Sequence, residues 1–129
     1  MKVLLLMVLC HIIDDFVLQK ATLCDLKQKE WWERNCGTKE YGMLLQYKND
    51  YKMALFIHAL SWSIMIHLPL FLIWIPWWAL GLTVGINAVI HYITDDHKAN
   101  KKTINLIQDQ LIHLGQILIT FGVYYLCVI

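Results

Sequence analysis

Charged residues are scarce in this sequence. Asp, Glu, Lys and Arg make up 16% of its residues, whereas soluble domains carry about 25%. The formal net charge is only +1, so the chain lacks the basic field that nucleic-acid-binding proteins use. Apolar residues reach 58%, and the mean hydropathy is +0.48. Long uncharged stretches in a chain of 129 residues favour a single membrane domain.

Closely spaced cysteine pairs are lacking as well. The cysteines are Cys10, Cys24, Cys36 and Cys127, and no two of them form a C-x-x-C motif. Cys10 and Cys127 lie in apolar stretches, where a free cysteine behaves as a small hydrophobic residue. The sequence therefore predicts neither a disulfide framework nor a thiolate metal site.

Four apolar stretches account for most of the chain. They cover residues 3–19, 53–73, 77–95 and 104–129. A helix needs about 20 mainly apolar residues to cross a bilayer, and the stretches meet or approach that length. We therefore expect an all-α fold in one domain, 1–129: a polytopic membrane bundle of four transmembrane helices.

The positions of the basic residues predict an orientation. Lysine and arginine concentrate in the loop 20–52 and in the loop after the third span, while the turn 74–78 has no charge. By the positive-inside rule, the loop 20–52 is cytoplasmic and both termini lie outside the inner membrane. Around Trp31 and Trp32, apolar and charged residues alternate. This pattern fits an interfacial helix or an ordinary amphipathic loop helix, and both interpretations stay open.

Histidine and aspartate interrupt the spans at one level. With the predicted topology, one end of the bundle receives His11, Asp15, His58, His91, Asp95, Asp109 and His113. Six of these form i, i+4 pairs, namely His11 with Asp15, His91 with Asp95, and Asp109 with His113. Residues four apart lie on the same face of a helix. Only His67 falls near the other end of the spans.

Imidazole nitrogen and carboxylate oxygen are ligands of zinc, iron and manganese. We expect the seven residues to hold one or two divalent ions, with zinc favoured, and Asp15 or Asp95 to serve as a general base for water. Supporting polar residues are Gln19, Asn87, Gln110 and Lys98. The competing interpretation is hydrogen bonding between helices. Seven titratable groups at one level favour a metal site.

Three motifs carry a resemblance to a known family. Residues 11–19 read HIIDDFVLQ, residues 91–98 read HYITDDHK, and residues 109–113 read DQLIH. The chain resembles a family of small uncharacterised integral membrane proteins of phages and bacteria, catalogued as a domain of unknown function, with H-x-x-x-D-F-x-x-Q, H-x-x-x-D-x-x-K and D-Q-x-x-H motifs. The resemblance implies that Asp15 and Asp95, rather than Asp14 and Asp96, are the paired carboxylates. The pattern is more distantly similar to membrane-bound metal-dependent hydrolases.

Three kinds of function fit these residues. The first is a metal-dependent hydrolase of a lipid or lipid-linked substrate, with Lys98 either binding an anionic head group or lying at the interface. The second is transport of an ion, a proton or a metal, for which the far half of the bundle has few polar residues. The third is a non-catalytic phage or bacterial membrane factor with a structural metal. The lipid bilayer is the expected partner, and a homo-oligomer stays open.

Overall fold

Helices make up most of the chain. A computed structural model describes residues 1–38, 42–43 and 45–127; parts of the predicted loop (39–41 and 44) and of the predicted fourth span (128–129) lie outside the described residues. The helices are α1 (Lys2–Ile12), α2 (Ala21–Leu26), α3 (Lys29–Cys36), α4 (Asp50–His67), α5 (Trp77–Ala99) and α6 (Leu106–Cys127). A π-helical segment, Ile13–Leu18, continues α1, and 3₁₀ helices cover Leu45–Tyr47 and Leu68–Leu72. Two short antiparallel strands, β1 (Gly37–Thr38) and β2 (Gly42–Met43), pair with Gly37 opposite Met43.

Two prolines set the turn between α4 and α5. The α-helix ends at His67, and Pro69 lies in the first turn of the 3₁₀ helix that follows. Pro76 directly precedes the first residue of α5. Proline has no N–H to donate inside a helix but is tolerated in a first turn, so the chain reverses direction between these two residues.

The long helices form a bundle. α1 packs against α4 and α6, and α5 packs against the same two helices, so each of the four has two neighbours. At one end, an apolar core is formed by residues of α1, α4, the 3₁₀ helix after α4, and α6: Met7, Trp62, Ile66, Leu70, Ile117 and Tyr124. Much of the remaining interior is polar, and Leu55, Ala59 and Ala88 are buried among those polar side chains.

The prediction of four transmembrane spans is wrong. Among the described residues, only Leu45–Leu72 is long and apolar enough to cross a bilayer, with a mean hydropathy of 1.7, and half of its most apolar stretch is buried inside the protein. α1 has only 11 residues, and polar residues buried in α5 and α6 reduce the apolar character of those helices. The predicted multi-pass placement in the inner membrane, with both termini outside, is wrong for the same reason.

The outward faces of the bundle are apolar nevertheless. Leu5, Leu82, Leu111 and Ile119, on three different helices, are all exposed. Large exposed apolar side chains in such number favour association with other apolar surfaces in water. Purification of this protein therefore calls for a mild detergent.

The short helices α2 and α3 are attached to the end of α5. The Asn100 side chain accepts a hydrogen bond from the Lys29 N–H at 2.7 Å and donates one to the Lys27 carbonyl at 3.1 Å. The Trp32 indole donates to the Leu26 carbonyl at 2.9 Å. These contacts fix the segment between α2 and α3 beside the polar end of the bundle.

Candidate metal centre

The polar centre of the bundle draws side chains from all four long helices or their continuations. We call it the His/Asp cluster: His11 and Asp15 from α1 and its π-helical continuation, His58 from α4, His91 and Asp95 from α5, and Asp109 and His113 from α6. The Asp15 side chain is 7% exposed, and the other six residues are buried. The structure therefore brings together all seven residues that the sequence nominated as ligands, while His67 lies elsewhere.

Within the cluster, the imidazole nitrogens and the neighbouring carboxylate oxygens lie slightly too far apart for good hydrogen bonds. His58 Nε2 lies 3.5 Å from Asp15 Oδ1 and 3.4 Å from Asp95 Oδ2. His113 Nδ1 lies 3.4 Å from Asp15 Oδ2. Good N–H···O bonds span about 2.7–3.2 Å. Two ligands of one tetrahedral ion, each bonded at about 2.1 Å, are about 3.4 Å apart, so the observed spacing is that of ligands around a common cation.

The i, i+4 pairs have similar spacings. His11 Nδ1 lies 3.6 Å from Asp15 Oδ2, and His91 Nε2 lies 3.8 Å from Asp95 Oδ1. His113 Nε2 lies 3.6 Å from Asp109 Oδ1. The helical repeat thus aligns each pair without forming a hydrogen bond within it.

Several buried atoms of the cluster have no hydrogen-bond partner among the described residues. They are both ring nitrogens of His91 and of His113, Oδ1 of Asp15 and Oδ1 of Asp109. An unsatisfied buried polar group costs about 1–3 kcal/mol. A bound cation would pair with such atoms, and the donor set of imidazole and carboxylate suits a divalent metal.

Three overlapping groups of residues could hold a metal ion. They are His11, Asp15 and His113; Asp15, His58 and His91; and His91, Asp95 and His113, with the ligand atoms in each group within 4.8 Å of one another. Any two groups share one residue. Of the shared residues, only Asp15 can offer a separate oxygen to each of two ions, so a second ion would require Asp15 as a bridge.

His11 differs from the other histidines because both of its nitrogens are already engaged. Trp62 Nε1–H donates to His11 Nδ1 at 2.8 Å, and His11 Nε2 donates to Gln110 Oε1 at 3.1 Å. Gln110 in turn donates to Asp15 Oδ2 at 3.1 Å. His11 can bind a metal only if Trp62 gives up its acceptor, so it is the weakest of the predicted ligands.

Two outer carboxylates flank the inner histidines. Asp14 Oδ2 lies 3.7 Å from His58 Nδ1, and Asp14 Oδ1 accepts a hydrogen bond from Ser61 at 2.8 Å. Asp109 stands in the same relation to His113. Carboxylates that face the second nitrogen of a ligand histidine orient its ring and increase its basicity. Asp109 is therefore better placed to orient His113 than to bind an ion.

Sequence reasoning missed Asp14, Lys27 and Trp62. The π-helical segment turns both Asp14 and Asp15 inward, and no feature of the sequence marks that widened turn. Lys27 arrives from the end of α2 and places its ammonium 2.6 Å from Asp95 Oδ2. Trp62 follows His58 by four residues on α4, so the two side chains lie on the same face of the helix. That spacing could have identified Trp62.

Aromatic stacking fixes the rings of the cluster. The His91 ring stacks between Trp62, at a centroid distance of 4.3 Å, and His113, at 4.1 Å. Burial lowers the pKa of His91 well below its ordinary value and also lowers the pKa of His11. Both imidazoles are therefore neutral at neutral pH, which is the form that binds metals.

The predicted supporting residues fall in two places. Gln19, Gln110 and Lys98 adjoin the cluster, and Lys98 Nζ lies 2.6 Å from Asp109 Oδ2. Asn87 instead joins a second buried group, which we call the His67 network: His67, Thr83, Asn87, Gln116, Thr120 and Tyr124. Asn87 donates to Thr120 Oγ1 at 2.9 Å and accepts from Gln116 at 3.2 Å.

Comparison of the chain with family models, curated proteins and solved structures gives no match. The resemblance to the phage and bacterial family stays a prediction, and the function has to be argued from the geometry of the cluster.

Proposed function

We propose that this protein is a zinc-dependent hydrolase whose His/Asp cluster binds the metal. The observation that carries the proposal is that unpaired atoms of His91, His113, Asp15 and Asp109 lie 3.4–3.8 Å from an imidazole or carboxylate atom of the cluster. A buried network built for hydrogen bonding would have closed these distances, since leaving the atoms unpaired costs free energy. Zinc is favoured because it accepts nitrogen and oxygen ligands in a tetrahedral arrangement.

Asp15, His58 and His91 form one group of three ligands, and His113 lies on the other side of Asp15. Asp15 directs one oxygen toward His58 and the other toward His113. Three protein ligands with one open position are typical of catalytic zinc sites. The overlapping groups leave more donors than one tetrahedral ion needs, so a carboxylate remains available for proton transfer.

Asp95 is the carboxylate best placed to take that proton. Unlike Asp15, it lines a surface pocket as well as the cluster. A bound divalent ion lowers the pKa of a coordinated water to about 7. Asp95 would accept the proton of that water as its oxygen attacks an ester or phosphate ester, and would pass the proton to the leaving group. Lipid-linked esters belong to the same chemical class.

A structural metal is the second candidate, and one observation favours it. The cluster lies in the interior where all four long helices meet, and six of its seven residues are buried. A metal in that position would hold the helices together whether or not it met a substrate. Loss of activity without loss of metal separates the two candidates.

The test combines metal analysis with hydrolysis assays. Protein purified in mild detergent is loaded with zinc, freed of excess metal, and assayed with p-nitrophenyl phosphate, p-nitrophenyl acetate and a short-chain phosphatidic acid. We expect about one zinc per chain. Asp95→Asn should bind zinc but hydrolyse its substrate about 10²–10⁴-fold more slowly, which is the usual contribution of a general base.

Asp96→Asn is the matched control, because Asp96 is the next residue of α5 and pairs with Lys101 outside the cluster. Its zinc content and activity should equal those of the wild type. Folded wild-type protein that takes up no zinc would refute the proposal. Zinc binding with no hydrolysis of any substrate would leave the structural role.

A further inference from the structure

A pocket opens beside the His/Asp cluster, between the end of α2 and the end of α5. Its volume is about 320 Å³, and its charged and amide-bearing lining residues are Gln19, Lys27, Gln28, Asp95, Lys98 and Lys102. Asp95 belongs both to this basic pocket and to the cluster. A molecule in the pocket would therefore lie next to Asp95, at the edge of the candidate metal centre.

The lining is strongly basic. Its three lysines outnumber its one carboxylate. Two of these lysines are paired with carboxylates of the cluster: Lys27 Nζ lies 2.6 Å from Asp95 Oδ2, and Lys98 Nζ lies 2.6 Å from Asp109 Oδ2. A divalent ion held by the cluster would add positive charge beside both carboxylates, and the lysines would then share their remaining donors with an incoming anion.

Lys27 is placed to contact a ligand directly. It is buried, with 6% of its surface exposed. Its ammonium has three donors; one is taken by Asp95, and a second by the Gln19 side-chain oxygen when the Gln19 amide is oriented to donate to the Asp15 carbonyl. The third donor remains for a ligand in the pocket.

The walls of the pocket are held in place without a ligand. Asn100 ties Lys27 and Lys29 to the end of α5, and it also donates to Asp96 Oδ1 at 3.0 Å. Lys102, with φ of 55°, adopts the left-handed conformation, and its ammonium lies 2.6 Å from Glu30 Oε1 on α3. A preformed pocket loses little entropy when it binds a ligand.

We propose that the basic pocket binds the phosphate group of a phosphate-ester substrate and presents it to the His/Asp cluster. This inference rests on the proposed hydrolase function and specifies its substrate class. Lysine is a common phosphate ligand that acts as a point charge, and a volume near 300 Å³ suits a small ligand group. Phosphate is favoured over a neutral ester because the three lysines of the lining, each held by one carboxylate, keep further ammonium donors that an anion accepts best.

The experiment titrates inorganic phosphate into zinc-loaded protein, and binding is followed by calorimetry and by ³¹P NMR. Lys98→Gln and Lys102→Gln should each weaken phosphate binding by about tenfold, the effect of losing one charged hydrogen bond. Lys101→Gln is the matched control, because Lys101 adjoins Lys102 in sequence but pairs with Asp96 outside the pocket. Its phosphate affinity should stay at the wild-type value.

Glycerol 3-phosphate and a short-chain phosphatidic acid then distinguish a soluble phosphate ester from a lipid. The one that binds more tightly, with the same dependence on Lys98 and Lys102, identifies the source of the phosphate. Zinc is measured in the same samples. Zinc-loaded protein that does not bind phosphate, or that loses affinity equally in Lys101→Gln, would overturn the pocket assignment alone. If the protein binds phosphate but takes up no zinc, the pocket assignment stands and the hydrolase proposal is refuted.

Discussion

The His/Asp cluster and the His67 network are two buried polar regions of the same bundle, and they treat their polar atoms differently. In the His67 network, the atoms of His67 are both engaged: Nδ1 donates to the Ser63 carbonyl at 2.7 Å, and Nε2 lies 3.1 Å from Thr83 Oγ1. In the His/Asp cluster, His91 and His113 have no hydrogen bond on either nitrogen among the described residues.

The His67 network draws on α4, α5 and α6, which are three of the four helices that supply the cluster, so the choice of helix does not explain the difference. Asn87 and His91 lie one turn apart on α5, and one is hydrogen-bonded while the other is not. The distinction lies in the residue types that meet. Amides and hydroxyls both donate and accept, and among the described residues the His67 network leaves one buried side-chain atom without a partner, Oε1 of Gln116, against six atoms in the cluster. Where imidazoles face carboxylates, by contrast, acceptor lone pairs outnumber N–H donors. That excess of lone pairs is what a cation can satisfy.

Removing zinc should produce the largest effect, and only through the cluster. At a zinc concentration about a thousandfold above Kd, binding stabilises the fold by about 4 kcal/mol. Chelation by EDTA should lower Tm accordingly, as measured by thermal unfolding in mild detergent. Asn87→Leu, which alters the His67 network alone, should show the same zinc-dependent shift. A Tm that does not respond to chelation would contradict a metal role for the cluster.

Sequence patterns predicted the membership of the cluster better than its internal roles. The i, i+4 spacing places His91 next to Asp95, and Asp109 next to His113, in any regular helix. Which nitrogen is free depends on neighbours that the pattern does not specify. Trp62 occupies the lone pair of His11, although His11 and His91 have equivalent places in their motifs.

Two further features lay beyond the sequence for physical reasons. Lys27 reaches Asp95 from another helix, 68 residues away in sequence, and no local pattern predicts such a contact. The four apolar stretches suggested four membrane spans, but an apolar stretch does not show where its helix ends, and α1 has only 11 residues. Among the described residues, only Leu45–Leu72 keeps enough apolar character and length to qualify.

Two matched leucine substitutions on α5, Asn87→Leu and His91→Leu, should have different effects on the stability of the metal-free protein, with Asn87→Leu the more destabilising. Asn87→Leu removes hydrogen-bond partners of Gln116 and Thr120 and should cost about 1–3 kcal/mol of unfolding free energy. His91→Leu removes two nitrogens that have no partner, and replacing such a group with an apolar one is nearly neutral or stabilising. Denaturant unfolding measures both values.

When zinc is bound, the order of the two unfolding free energies should be the opposite, with His91→Leu the less stable variant. His91→Leu loses a ligand and the stabilisation that zinc provides, while Asn87→Leu keeps both. If His91→Leu instead destabilises the metal-free protein as much as Asn87→Leu does, the cluster is an ordinary buried hydrogen-bond network. That result would remove the contrast between the two regions.

The smallest expected effect is on the pH dependence of stability. Burial lowers the pKa of His91 and His11 from the ordinary value of 6.5, so both are neutral in the folded state and take up protons on unfolding. The unfolded state then binds more protons below about pH 6.5, and the free energy of unfolding falls as the pH decreases. Above that pH the contribution is constant.

Each histidine that is neutral when folded and protonated when unfolded should contribute a slope of up to about 1.4 kcal/mol per pH unit. In metal-free protein, the number of protons taken up on unfolding between pH 6.5 and pH 5 should therefore be lower by about one in His91→Leu, and the slope should decrease accordingly. Zinc should steepen the slope, because every ligand histidine must release the metal before it is protonated. The same steepening in Asn87→Leu would assign the added protons to the His/Asp cluster, since that variant leaves every cluster residue in place. A slope that is identical with and without zinc would mean that the protons are taken up elsewhere and that the cluster holds no ion at neutral pH.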